Sequence, residues 1–186
     1  MRRMPILALL PVVAIVAIVA IVAIVAACAG SGGGNGGGGR SAEAMLKATQ
    51  GNAASGTVSF RQEGGDVVMS ARVTGLAPGA HGFHIHEKGD CSAPDATSAG
   101  GHFNPTGKPH GNPDSADHHG GDMPQLIADA SGNASLVATL TGLSVLAGAN
   151  SVVGRGVIIH AAPDDFKTQP TGNSGARVAC GVVAVR

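Results

Sequence analysis

The body of this sequence predicts an all-β fold, an eight-stranded sandwich or barrel with two long functional loops. Three observations carry that expectation. No segment past Arg40 sustains an apolar period of 3.6 residues, whereas several short stretches alternate apolar and polar with period two between turn signals. Eight such stretches fit an antiparallel sandwich or barrel. Two further segments, Lys88 to Pro124 and Ala161 to Ala176, carry Gly, Pro, Asp and His without strand character, and loops of that length in a compact domain are usually functional.

The first element is an address. Of the first 27 residues 23 are apolar, against 58 of the remaining 159. Arg2 and Arg3 precede an apolar run from Ile6 to Ala27, broken by Pro11 and containing an Ala-Ile-Val repeat. This pattern reads as a secretory leader. Its end, Val25-Ala26-Ala27-Cys28, resembles the lipobox of bacterial lipoproteins. The expectation is a signal peptide over 1–27, lipidation of Cys28, and export to the periplasm or cell envelope on an N-terminal lipid anchor in a membrane. An uncleaved anchor of about 20 apolar residues and ordinary cleavage at a small residue remain open, and both also export the domain. Gly30 to Gly39 holds eight Gly, one Ser and one Asn, a composition that stays a flexible coil. Residues 28–40 are therefore expected to be a tether, and 41–186 the folded domain.

The strands follow in order. They are expected at Glu43 to Ala48, Ser55 to Gln62, Val67 to Thr74, His81 to Glu87, Gln125 to Ala130, Asn133 to Leu140, Val152 to His160 and Arg177 to Val185. The third is the clearest: Val67, Met69, Ala71 and Val73 alternate with Val68, Ser70, Arg72 and Thr74, and Gly75-Leu76-Ala77-Pro78-Gly79 turns the chain.

Charge excludes some classes of function. Twelve basic and twelve acidic residues, with only 13% of the chain charged, leave no basic face for nucleic acid and do not describe a charged disordered chain. The histidines are more informative. Seven of the eight fall between His81 and His119, and the eighth, His160, ends the apolar run Val157-Ile158-Ile159-His160. In His84-Ile85-His86 the two imidazoles share one face of a strand, because i and i+2 project to the same side. That arrangement suits two ligands on one metal, although an isolated His-x-His is as readily a solvated polar face. His102, His110, His118, His119 and Asp122 lie in the long loop, which metal ligands could organise. Neutral imidazoles suit copper and zinc, and one carboxylate among three imidazoles fits a four-coordinate zinc. A nonspecific His-rich scavenging tract is the alternative.

After Cys28, the remaining thiols are Cys91 and Cys180. In an exported chain they pair naturally as a disulfide, with two buried free thiols as the alternative.

The motifs together are distinctive: Gly82-Phe83-His84-Ile85-His86-Glu87, Ser98-Ala99-Gly100-Gly101-His102-Phe103-Asn104-Pro105, His119-Gly120-Gly121-Asp122, Gly154-Arg155-Gly156-Val157-Ile158-Ile159-His160, and Thr171 to Val182 with Arg177 and Cys180. In this order, across Ser41 to Arg186, the chain resembles the copper,zinc superoxide dismutases, in their bacterial exported lipoprotein form. The resemblance implies an eight-stranded Greek-key β-barrel. It implies one copper per subunit on His84, His86, His102 and His160, and one zinc on His102, His110, His119 and Asp122, with His102 bridging the two metals. Asp164 matches the family's orienting carboxylate and would hold His84 and His110. His81 matches a structural position, and His118 is expected to be solvated beside His119. Arg177 and His102 would be catalytic: Arg177 guides the anionic superoxide, and His102 exchanges a proton as copper alternates between oxidation states. The products are dioxygen and hydrogen peroxide. The loop after His160 lacks the charge-dense pattern of the animal enzymes, so Lys88, Lys108 or Lys167 would supply steering. The subunit is expected as a monomer or homodimer. A non-catalytic copper or zinc buffer on the same barrel, and an immunoglobulin-like adhesion module, are the competing classes.

Overall fold

Period-two alternation builds nine antiparallel strands over residues 40–186, the residues described in the computed structural model. The expected signal segment 1–27, Cys28 and the tether up to Gly39 lie outside the described residues. Strands β1 (Ser41–Ala48), β2 (Ser55–Glu63) and β3 (Asp66–Thr74) form a meander. The β2–β3 hairpin closes through Gly64 and Gly65, with Glu63 opposite Asp66. Gly64 sits at φ 59°, the left-handed region in which tight hairpin loops favour glycine.

After β3 the chain leaves the meander. It forms β4 (Gly79–His81), β5 (Phe83–His86) and β6 (Leu126–Ala128), then returns as β7 (Ala134–Leu140) to pair with β3. β8 (Gly156–His160) pairs with both β5 and β9 (Arg177–Val185), and β9 closes back on β1. The hydrogen-bonded order is β5-β8-β9-β1-β2-β3-β7, with β4 and β6 as a separate pair. This is a Greek-key-like all-β sandwich.

Every expected strand is present, and the boundary differences have local causes. The stretch His81 to Glu87 is two strands, because its first part pairs with β6 and its second with β8. At the break, the Gly82 N–H donates to the Ala162 carbonyl and the Gly82 carbonyl accepts from the His160 N–H. A Cβ there would lie 2.6 Å from the Ser174 hydroxyl. The stretch from Val152 becomes strand only at Gly156, because a turn with Gly154 at φ 78° intervenes.

The core lies between the sheet faces. Ala42, Ala44 and Leu46 of β1, Val58 and Phe60 of β2, and Val67, Met69, Ala71 and Val73 of β3 point inward, joined by Phe83, Ile85, Val157, Ile159 and Val183. β5 and β8 are buried on both faces. Their inward residues enter this core. Their outward residues, His84, His86, Ile158 and His160, are covered by the long loops.

That cover is built from backbone pairing. β5 has β8 on one side, and the loop supplies its other edge: the Ile85 N–H donates to Gly121, the Phe103 N–H donates to Ile85, and the Gly121 N–H donates to Phe103, all within 2.7–2.8 Å. Gly121 is required here, since a Cβ would overlap the Ile85 carbonyl oxygen. Further along, Ile158, Ala96, Ala99 and Cys180 form a small second apolar cluster against Cys91. Cys91 and Cys180 are joined as a disulfide, with Cα atoms 5.8 Å apart, tying the loop to β9 across 89 residues of chain.

Closing a loop of that length restricts the unfolded chain and stabilises the fold by roughly 4–5 kcal/mol in the chain-entropy description. Replacing both cysteines by serine is expected to lower the unfolding free energy by an amount of that order in guanidinium titration. A loss below about 1 kcal/mol would mean that the unfolded chain gains little freedom from the cut.

Candidate metal centre

Strand geometry delivers three of the imidazoles. His84 and His86 stand two residues apart on the outer face of β5, and His160 ends the adjacent β8. His102 arrives from the loop and makes an isolated β-bridge with His86. Its ring stacks on that of His84 with centroids 3.9 Å apart. All four are buried, and one nitrogen of each can meet the others within 4.8 Å.

One nitrogen of each ring is held and the other is free. His84 Nε2 donates to Asp164 Oδ2 at 2.7 Å, His86 Nδ1 to the Gly100 carbonyl at 2.9 Å, and His160 Nδ1 to the Gly175 carbonyl at 3.2 Å. His102 Nδ1 lies 2.8 Å from Asp122 Oδ1. Those bonds select the tautomer of each ring and turn its remaining lone pair inward. The remaining atoms, His84 Nδ1, His86 Nε2, His102 Nε2 and His160 Nε2, are buried with no hydrogen-bond partner among the described residues. A buried polar atom without a partner costs about 1–3 kcal/mol, and four facing lone pairs repel. A metal cation resolves both problems.

Electrostatics keep three of these rings, His86, His102 and His160, neutral. Burial lowers His160 to about 3 and His102 to about 4, with the His84 ring adding to both. Burial likewise holds His86 well below the ordinary imidazole value, with His102 next in importance. Neutral imidazoles have the lone pairs that copper and zinc take.

The second cluster shares His102. The Nδ1 atoms of His102, His110 and His119 lie 2.8, 3.0 and 3.4 Å from Asp122 Oδ1, and those of His119 and His102 are 3.4 Å apart. A tetrahedral zinc with bonds of about 2.0–2.1 Å has ligand–ligand edges of about 3.3 Å, so this donor set fits that ion closely. The carboxylate is aimed by its other oxygen, Oδ2, which accepts the backbone N–H groups of His119 and Gly111 at 2.8 and 3.1 Å. Burial opposes its charge, but hydrogen bonds from His102, His110 and His119 hold Asp122 far below the usual carboxylate range. His110 shows the complementary shift. Burial would lower it, but hydrogen bonds to Asp122 and then Asp164 raise it to about 9.

Asp164 stands between the clusters. Its Oδ2 takes His84 Nε2 and its Oδ1 takes His110 Nε2 at 3.0 Å, while the Phe166 N–H donates to the same Oδ1. Gly172, at φ 68°, makes room: a Cβ there would overlap the Asp164 carboxylate and lie 2.6 Å from His110 Nε2. Arg177 donates from Nη1 to the Ala96 carbonyl at 2.6 Å and from Nη2 to Gly100 at 2.7 Å. The Gly100 oxygen is the one that orients His86, so the guanidinium is fixed against the first cluster.

The remaining histidines separate cleanly. His118 bonds through Nδ1 to the His119 carbonyl and joins neither cluster. His81 bonds the carbonyls of His160 and Ala77, both at 2.7 Å. Lys108 is spent on the Ala116 carbonyl. Sequence reading missed three contributors. Arg155 stacks on the Phe103 ring at 4.2 Å and donates to the Glu87 carbonyl, Gln125 accepts the Asp164 N–H, and Gln169 grips His110. The carbonyls of Gly100 and Gly175 were equally invisible, because a backbone oxygen has no residue-type signature.

Comparison with known proteins agrees with this geometry. The family described as copper/zinc superoxide dismutase (SODC) matches residues 54–183. A curated relative, superoxide dismutase [Cu-Zn] 2 of Brassica juncea, is 42% identical over 151 residues, covering 77% of this chain and 96% of the relative. Among solved structures, one described as a crystal structure analysis of the clock protein EA4 superposes with a TM-score of 0.73 at 36% identity, covering 80% of this chain and 96% of that one. The plant relative overturns one expectation, the bacterial exported lipoprotein form with its place in the periplasm or cell envelope. That reading rested on Arg2 to Cys28, which lie outside both the described residues and the family match and carry none of the chemistry. Two adjoining clusters suited to copper and zinc, on a chain matched across its body, identify it: this chain belongs to the copper/zinc superoxide dismutase family and is an enzyme of that activity.

Proposed function

We propose that His84, His86, His102 and His160 hold copper, that His102, His110, His119 and Asp122 hold zinc, and that the two sites work as one through the shared His102 ring. The observation that carries this reading is the set of four unpartnered ring nitrogens, which adjoins the cluster around Asp122 through His102. The catalytic domain is residues 41–186. We read β4 and β5 as one strand broken at Gly82, which makes the nine strands an eight-stranded Greek-key barrel.

The reaction converts two superoxide anions and two protons into one dioxygen and one hydrogen peroxide. Copper supplies the one-electron exchange, which zinc, having no redox chemistry, cannot. The protein's own groups do the rest. Arg177 attracts and positions the anion: burial lowers its pKa, with Asp95 partly offsetting this, yet a guanidinium stays charged. His102 offers Nε2 as a site where a proton can be held beside the substrate, while Nδ1 stays turned toward Asp122. Asp164 keeps His84 and His110 in register, so that the two sites keep a constant relation. The disulfide of Cys91 and Cys180 anchors the loop whose Ala96 and Gly100 carbonyls hold Arg177.

The direct test is superoxide decay followed by stopped flow on protein loaded with one equivalent each of copper and zinc. Rapid decay that disappears when copper is removed is expected; decay no faster than free copper, with both metals bound, would overturn the reading. Arg177→Ala is expected to retain both metals, to slow turnover several-fold at low salt, and to flatten the ionic-strength dependence that screening imposes on an unshielded cation. An unchanged rate at low salt would remove Arg177 from the mechanism.

The protonation pattern gives a further outcome. With its pKa raised to about 9, His110 carries an extra proton at pH 7 in the metal-free chain, and zinc must displace it. Zinc binding at pH 7 is therefore expected to release about one proton, and zinc affinity to rise with pH until about 9 and then level. His160, near 3, and His102, near 4, should release almost none at pH 7. Calorimetric titration in two buffers of different ionisation enthalpy measures both.

A further inference from the structure

The two long loops that cover the metal centre make no backbone–backbone hydrogen bond to each other among the described residues. The second loop folds on itself, with Ala161 bonded to Ala176, Ala162 to Ser174, Asp165 to Gly172, and Gly172 to Thr168. Two side chains of the second loop make the polar links between them, and Gln125, the residue after the first loop, adds a third contact. Gln125 accepts the Asp164 N–H, Asp164 takes the His110 ring, and Gln169 takes the His110 backbone.

The Gln169 link has the form of a strand pair reduced to one residue. Its Oε1 accepts the His110 N–H at 2.9 Å, and its Nε2 donates to the His110 carbonyl at 2.8 Å. The same Nε2 reaches back to the Lys167 carbonyl at 3.3 Å, which steadies the amide within its own loop. His110 is thus gripped at three points by one loop: its backbone N–H and carbonyl by Gln169, and its Nε2 by Asp164. A ring held only at Nε2 could pivot about that bond as its backbone moved. With the backbone also fixed, Nδ1 has one direction left, toward Asp122.

We propose that Gln169 is a positioning residue for zinc, aiming His110 Nδ1 by clamping its backbone and so coupling the loop of Asp164 to the zinc cluster. The proposal rests on the reading of His110 as a zinc ligand. Neighbours that orient a metal-binding side chain typically contribute 10–100-fold in metal affinity. Because Gln169 itself is exposed to competing water, the lower end of that range is expected.

The test uses the full chain with both metals bound. Zinc release is followed by transfer to a chromophoric chelator, and a parallel sample carries cobalt(II) in place of zinc for its visible ligand-field bands. Gln169→Ala is expected to release zinc roughly tenfold faster, to shift the cobalt bands, and to leave copper release and the unfolding midpoint of the metal-free chain unchanged. Gln169→Glu keeps the acceptor for the His110 N–H but turns an oxygen toward the His110 carbonyl, so it should fall between wild type and alanine. Wild-type zinc release and cobalt bands in Gln169→Ala would overturn the clamp, as would equal loosening of copper and zinc together with a lowered metal-free midpoint. If the wild-type chain itself holds no zinc while His110→Ala behaves identically, the assignment of the zinc site fails instead.

Discussion

Everything in this domain follows from keeping four imidazole lone pairs pointed at one another in a buried space. Left alone, such an arrangement is unfavourable, because each inward nitrogen is a buried acceptor without a donor. It persists because each ring is committed elsewhere through its other nitrogen, to Asp164, Gly100, Asp122 or Gly175. The strands supply positions, but the hydrogen bonds to these outer partners supply directions. That division explains the construction of β5. Phe83 and Ile85 anchor it in the core, so His84 and His86 have little freedom to follow movements of the loops above them.

The two clusters are prepared in opposite ways. In the first cluster, burial and the neighbouring rings push His86, His102 and His160 toward the neutral form. In the second, Asp122 and Asp164 gather around His110 and favour its protonated form. His102 belongs to both sets, and its low pKa shows that burial prevails over its bond to Asp122.

Much of this was legible in the sequence, for a physical reason. Ligands that converge in space must leave a spaced pattern in the chain: the two-residue step of His84 and His86, and the three-residue step from His119 to Asp122. Glycines that admit close backbone approach, such as Gly121 and Gly172, sit inside those motifs and mark them further. The strands were legible because each has one face in the core. What escaped acts through anonymous atoms. The carbonyls of Gly100 and Gly175 have no residue-type signature, and Gln169 lies far in sequence from His110 and is ordinary in composition. The N-terminal address misled for a related reason: it is read from apolarity and a small-residue pair alone, with no geometric requirement that binds it to the rest of the chain.

The Gly100 oxygen couples Arg177 to the first cluster. A carbonyl has two lone pairs, and here one takes His86 Nδ1 and the other Arg177 Nη2. Arg177 uses a second nitrogen on Ala96. A guanidinium has five N–H donors, so three remain once these two are used. Both anchoring carbonyls lie in the segment between Cys91 and His102, which the disulfide ties to β9, the strand that begins with Arg177 itself. Guanidinium, carbonyl anchors and disulfide thus form a closed ring of constraints around one edge of the first cluster. An anion that Arg177 is proposed to attract would thus be held in a constant relation to His86.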